Sequence, residues 1–143
     1  MLPELEDCFL DHVAIATSDL EKSVDIFTDL GLVFQEAREV VEDQKVKTAF
    51  AHIDKNAHIE LLEPTSPDSA IAKFISKNGP GIHHMCFRVK DVVAKQKELI
   101  DKGFKMIYPE PVVGAGNCLV NFIHPKSTGG ILLEISQKNK RPV

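Results

Sequence analysis

An α+β fold of two tandem βαβββ modules is what this sequence predicts, and three observations predict it. The chain repeats itself, because a shift of 72 residues lays His12 on His84, Asp19 on Asp91, Gly31 on Gly103, Phe50 on Phe122 and His52 on His124. With two further residues allowed, Glu60 falls on Glu134, each inside an apolar run, IELL and LLEI. Each half also passes from a short β-type run to helical spacing and back to β-type runs. A fixed-period repeat is the strongest architectural signal a sequence carries, since each copy must adopt the same supersecondary unit. The expected result is a curved mixed sheet within a single domain spanning residues 1–143, with module one at 9–63, a linker helix at 64–80 and module two at 81–137.

Residues 12–17 (HVAIAT) and 84–89 (HMCFRV) open the halves as strands. Asp19 and Asp91 follow as helix N-cap candidates, because a short carboxylate side chain can accept from the exposed N–H groups of a first turn. Leu20, Val24, Phe27 and Leu30 then recur at helical spacing before Gly31, and a noisier stripe of Val92, Val93, Lys95, Gln96, Leu99 and Ile100 precedes Gly103. Each glycine sits where a helix commonly ends in a left-handed residue. Further strands are expected at about 32–40, 46–54 and 58–63, and again at about 104–108, 117–124 and 131–136. The connecting segment PTSPDSAIAKFISKNGPG holds Ser66 before Pro67, apolar Ile71, Phe74 and Ile75, and a stop at Gly79, the pattern of a short amphipathic helix.

Composition narrows the functional classes. With 143 residues and 43% hydrophobic content the chain can bury a real core. Its longest apolar runs are a few residues, against about 20 needed to cross a bilayer, so no membrane partner is expected. The start, MLPELEDCFLD, is acidic and lacks the basic-then-apolar order of a secretory signal, which gives a cytoplasmic expectation. A net charge of −4 supplies no basic footprint for nucleic acid. Cys8, Cys86 and Cys118 are odd in number and contain no Cys-x-x-Cys pair, which argues against a disulfide framework or a cysteine zinc site. The basic tail Lys138–Arg141 reads as a solvated end.

The chemistry lies in four repeat-related residues. Along a strand side chains alternate faces, so His12 shares a face with Ala14 and Ala16, and His84 with Cys86 and Arg88. Glu60 and Glu134 sit mid-strand among apolar residues, where an unpaired carboxylate would cost several kcal/mol. A cation shared by both carboxylates removes that cost. His12, Glu60, His84 and Glu134 thus form a His2Glu2 set for one divalent metal, with about two positions open for water or substrate in an octahedral site. Mixed nitrogen and oxygen donors disfavour calcium. A lone strand histidine is usually packing or surface. His83 faces opposite to His84 along its strand, His58 is expected exposed, and His52 and His124 fit either packing or a pocket; all four are read as structural.

The paired layout with DHVAIA, IELLEP, GIHHMCF and ILLEIS resembles the vicinal oxygen chelate superfamily, and the segments LLEPTSPDSAIAKFISKNGPGIHH and PVVGAGNCLVNFIHPKSTGGILLE resemble the methylmalonyl-CoA epimerases. The resemblance implies racemisation at C2 of methylmalonyl-CoA, one divalent metal (cobalt first, with nickel, manganese or zinc as alternatives), an acyl-CoA substrate and a homodimer. It implies metal positions at His12, Glu60, His84 and Glu134, and acid/base work by Glu134. Some relatives carry a second catalytic glutamate in the third strand, where this chain has Thr48; repeat symmetry then nominates Glu60 as the second base. The loop from His124 to Gly130 resembles a substrate loop, with Lys126, Ser127, Thr128 and Gly129 as binding candidates, while Lys73, Lys77 and Arg88 are available for the coenzyme A phosphates or are simply solvated. Two other activities share the fold: a glyoxalase I type lactoylglutathione lyase and a non-catalytic ligand-binding member.

Overall fold

A computed structural model describes residues 7–138; the acidic start before Asp7 and the basic tail beyond Lys138 lie outside them. The elements are β1 (Cys8–Ala16), α1 (Leu20–Asp29), β2 (Glu39–Val41), β3 (Val46–His52), β4 (His58–Pro64), α2 (Ala70–Asn78), β5 (Gly81–Val89), α3 (Val92–Asp101), β6 (Val112–Val113), β7 (Cys118–Ile123) and β8 (Leu133–Lys138). The fold is α+β, with βαβββ occurring twice. By packing, the described chain forms two compact units, His12–His83 and residues 7–11 with 84–138.

In the first unit β4 runs parallel to β1 and antiparallel to β3, and β3 is antiparallel to β2. In the second, β8 runs parallel to β5 and antiparallel to β7, and β7 is antiparallel to β6. The repeat is reproduced down to register. Glu60 lies opposite Ala14 and Phe50, and Glu134 opposite Cys86 and Phe122. Both helices start alike: Asp19 accepts from the Lys22 N–H and Asp91 from the Ala94 N–H, each cap with extended backbone. A second donor of each first turn is met from the last strand of the unit, Leu20 N–H by the Glu63 carboxylate at 3.1 Å and Val92 N–H by the Gln137 amide at 2.7 Å. These bonds fix each helix against its sheet, since a first turn otherwise leaves its N–H groups unmatched. Gly31 and Gly103 follow at φ 107° and 95°, the left-handed exits that let both chains turn back.

Where strands begin departs from expectation. The segment at 32–40 joins the sheet through a single bridge, Phe34 to Ala51, before β2 at Glu39; that at 104–108 does so through Met106 to Ile123, before β6 at Val112. Apolar residues there pack inward without completing a ladder: Leu32 and Phe34 join the core of Leu20, Val24, Ala49, Ile59 and Leu61, and Met106 joins that of Val89, Val92 and Ile135. The linker helix starts at Ala70, capped by Ser69, whose hydroxyl accepts from the Ala72 N–H; Ser66 is bonded instead to Asp68. Lys45 and Ser66 together hold the Asp68 carboxyl down at about 2, tying the helix entry to the β3 turn. Ile71, Phe74 and Ile75 pack on Ala14, Ala16, Val46 and Leu62, so this helix belongs to the first unit.

The halves differ at one buried place. Repeat equivalents of Val24 and Ala49 in the second unit are Gln96 and Asn121. Asn121, fully buried, donates to the Gln96 side-chain amide oxygen at 2.6 Å and the Tyr108 backbone carbonyl at 3.0 Å, and accepts from the Tyr108 and Phe122 N–H groups; the Gln96 side chain donates to the Pro109 carbonyl at 3.0 Å. Asn121→Ala strands these partners and is expected to cost about 2 kcal/mol in urea unfolding; a change under about 0.5 kcal/mol would show the network contributes nothing.

Candidate metal and proton-transfer site

Each unit presents one histidine and one glutamate in the same geometry. In the first, His12 Nε2 lies 3.1 Å from Glu60 Oε2; in the second, His84 Nε2 lies 2.9 Å from Glu134 Oε2. All four side chains are less than 10% exposed. The placement follows from the strands. Histidine on the first strand of each unit and glutamate on the parallel last strand fall on one face, and the residue directly beside each glutamate is small and wholly buried, Ala14 or Cys86. On the other side stands a phenylalanine, Phe50 or Phe122, the latter in edge contact with the His84 ring at 5.4 Å. Small neighbours leave room for the carboxylate to reach the imidazole.

The donor chemistry suits a metal. Two ligand atoms sharing an octahedral ion at about 2.1 Å stand about 3 Å apart, which is the nitrogen-to-oxygen spacing found twice. A neutral imidazole and an ionised carboxylate are the protonation states that ligate.

Other sequence candidates fall as follows. Thr48 is fully buried and its hydroxyl donates to the Glu39 carbonyl at 3.2 Å, so the third strand supplies no acid or base at that position. In the loop, Lys126 is exposed and its N–H donates to His124 Nδ1. The Ser127 hydroxyl accepts from the Lys105 N–H at 3.0 Å, and the Thr128 hydroxyl donates to the Pro125 and Ile131 carbonyls. Gly129 and Gly130 turn left-handed at φ 73° and 98°. This loop is a short helical turn, Pro125–Ser127, capped by His124. Lys73 and Lys77 are exposed.

Two readings need correction. Arg88 is not solvated: its Nη2 and Nε lie 2.7 and 3.2 Å from Asp11 Oδ1, with the two side chains 14% and 10% exposed. His58 is half-buried, its ring 5.1 Å from that of His12, 5.4 Å from Phe50 and 6.0 Å from His52. Its place opposite both His12 and His52 was available only through strand register. His83 packs edge-on against Phe74 at 5.0 Å.

Comparison with known proteins gives consistent results. The sequence profile of the Glyoxalase/Bleomycin resistance protein/Dioxygenase superfamily matches residues 11–122. The mitochondrial methylmalonyl-CoA epimerase of Dictyostelium discoideum is 40% identical over 131 residues, covering 90% of this chain and 78% of that one. A Streptomyces coelicolor methylmalonyl-CoA epimerase variant in complex with 2-nitronate-propionyl-CoA superposes with a TM-score of 0.86 at 35% identity, covering 92% and 97% of the two chains. A methylmalonyl-CoA epimerase in complex with methylmalonyl-CoA and NH4+ gives 0.87 at 34% identity, covering 93% and 96%. By these likenesses the chain belongs to the glyoxalase/bleomycin resistance protein/dioxygenase superfamily and, within it, to the methylmalonyl-CoA epimerases.

Proposed function

We propose that the chain interconverts (2R)- and (2S)-methylmalonyl-CoA, with His12, Glu60, His84 and Glu134 holding one divalent cation. The observation that carries the reading is the His–Glu pair repeated at 3.1 and 2.9 Å, one in each half. A cation bound there supplies Lewis-acid polarisation of the thioester carbonyl, which acidifies the neighbouring C2–H. Glu134 takes the C2 proton on one face, and an acid returns one on the other. Glu60 is the repeat equivalent of Glu134 and takes that second role, tempered by its ligation. Phe50 and Phe122 keep water from the reacting carbon. Lys126, Ser127, Thr128 and Gly129 meet the acyl-CoA, Lys126 through its charge and the others through the loop's backbone. Cobalt is the preferred ion, with nickel, manganese or zinc as alternatives, and the working form is a homodimer in the cytoplasm. In support of a non-membrane address, no helix among the described residues is long and apolar enough to cross a membrane. Epimerase names among the relatives disfavour the lactoylglutathione lyase and the non-catalytic binding readings.

The test is exchange of the C2 proton of methylmalonyl-CoA with deuterated solvent, run beside interconversion and with metal content measured on the same sample. Exchange should be lost by at least about a hundredfold on chelation and restored by cobalt. A metal-free protein that exchanges at full rate would sink the cation; a metal-loaded one that does not exchange would sink the substrate.

A further inference from the structure

Strand register sets three imidazoles in a row across the first unit. His12 on β1 is opposite His58 on β4, and His58 is opposite His52 on β3. Directly paired residues point to the same face. The ring centroids are 5.1 Å apart from His12 to His58 and 6.0 Å from His58 to His52, the second pair inclined at 66°. Exposure rises along the row, from buried His12 through half-buried His58 to exposed His52. No described hydrogen bond uses the His52 ring, and the residue lines an open pocket of about 490 Å³ with Gly31, Phe34 and Ile53. The second unit is an internal control. Leu132 stands where the repeat places His58, and His124, the equivalent of His52, spends Nδ1 on the Lys126 N–H.

We propose that His52 and His58 form a second, outer site for a borderline divalent transition-metal ion, from which the ion passes to the His12–Glu60 pair. Two imidazoles each giving one nitrogen to a shared ion at about 2.0–2.1 Å hold their ring centroids about 5–6 Å apart, so little movement is needed. Nitrogen donors select zinc, cobalt, nickel or copper over magnesium and calcium. With only two protein ligands and the rest water, the outer site binds more weakly and releases faster than a four-ligand centre. The transfer rests on the reading of His12 and Glu60 as ligands; the outer site does not.

The experiment titrates the metal-stripped full chain with cobalt and follows loading by stopped flow. Wild type should show two classes of site, and His52→Ala should weaken the outer class at least tenfold and slow filling of the inner one at least fivefold. His58→Gln should repeat both effects. A single tight class in wild type, or a weak class that survives His52→Ala, overturns the outer site. Loading at wild-type rate in His52→Ala overturns the transfer. An outer class lost in His52→Ala without any tight class in wild type supports the outer site and removes the four-ligand reading instead.

Discussion

Glu134→Ala is expected to abolish solvent exchange of the substrate's C2 proton, lowering kcat by roughly 10³-fold or more while the protein stays folded. Two losses combine. The substitution removes the proton acceptor, an effect typically of about 10²–10⁴-fold, and it removes one carboxylate from the proposed metal set. Since the side chain is 9% exposed and sits 2.9 Å from His84, truncation also leaves that imidazole without its carboxylate. Glu134→Gln separates the two effects. The amide keeps the shape and one weak ligand oxygen but cannot accept the proton, so it should retain more metal than alanine while remaining as inactive. Exchange at wild-type rate in Glu134→Ala removes Glu134 from the chemistry. Retained exchange in Glu60→Ala alongside lost interconversion would instead identify Glu60 as the acid for the opposite face.

The second large effect is on stability. Arg88→Met should destabilise the protein by about 3 kcal/mol, because it takes the guanidinium away from the nearly buried Asp11 carboxylate. Two nitrogens of Arg88 converge on one Asp11 oxygen, and Nη1 is buried with no hydrogen-bond partner, so the guanidinium is already costly to enclose and Asp11 offsets that cost. Some solvent reaches both side chains, which places the effect at the lower end for buried pairs. For a chain of this size the melting temperature should fall by roughly 10 °C. Adding Asp11→Leu should recover most of the loss, since an apolar pair replaces an ionic one at little net cost. A loss below about 0.5 kcal/mol for Arg88→Met would mean that water already screens the pair.

Much of this was legible in sequence. The repeat predicts the order of elements, and both Asp caps and both glycine exits stand where it puts them. These features are local, or follow from repetition, and both leave marks in a single chain. What escaped depends on pairing partners. Strands at 32–40 and 104–108 shrink to bridges because their apolar residues satisfy the core without a continuous ladder. Ser66 loses the cap to Ser69 because Asp68 competes for its hydroxyl. Arg88 looks solvated until Asp11, far away in sequence, is placed beside it, and His58 looks exposed until register sets His12 and His52 against it. The Gln96–Asn121 pair gave a weaker sign: polar residues interrupt positions that are apolar in the other half.

That interruption bears on the chain's history. Two copies of one module would at first have been interchangeable, yet a copy with Val24 and Ala49 in its core cannot acquire Asn121 alone without losing the Gln96 oxygen as acceptor for one amide hydrogen, nor Gln96 alone without burying that oxygen apart from its donor. Each single step descends before the pair recovers the ground. Such a valley is crossed rarely. The amide pair therefore acts as a lineage marker: descendants should carry both amides or neither, and a mixed pair should be scarce among them.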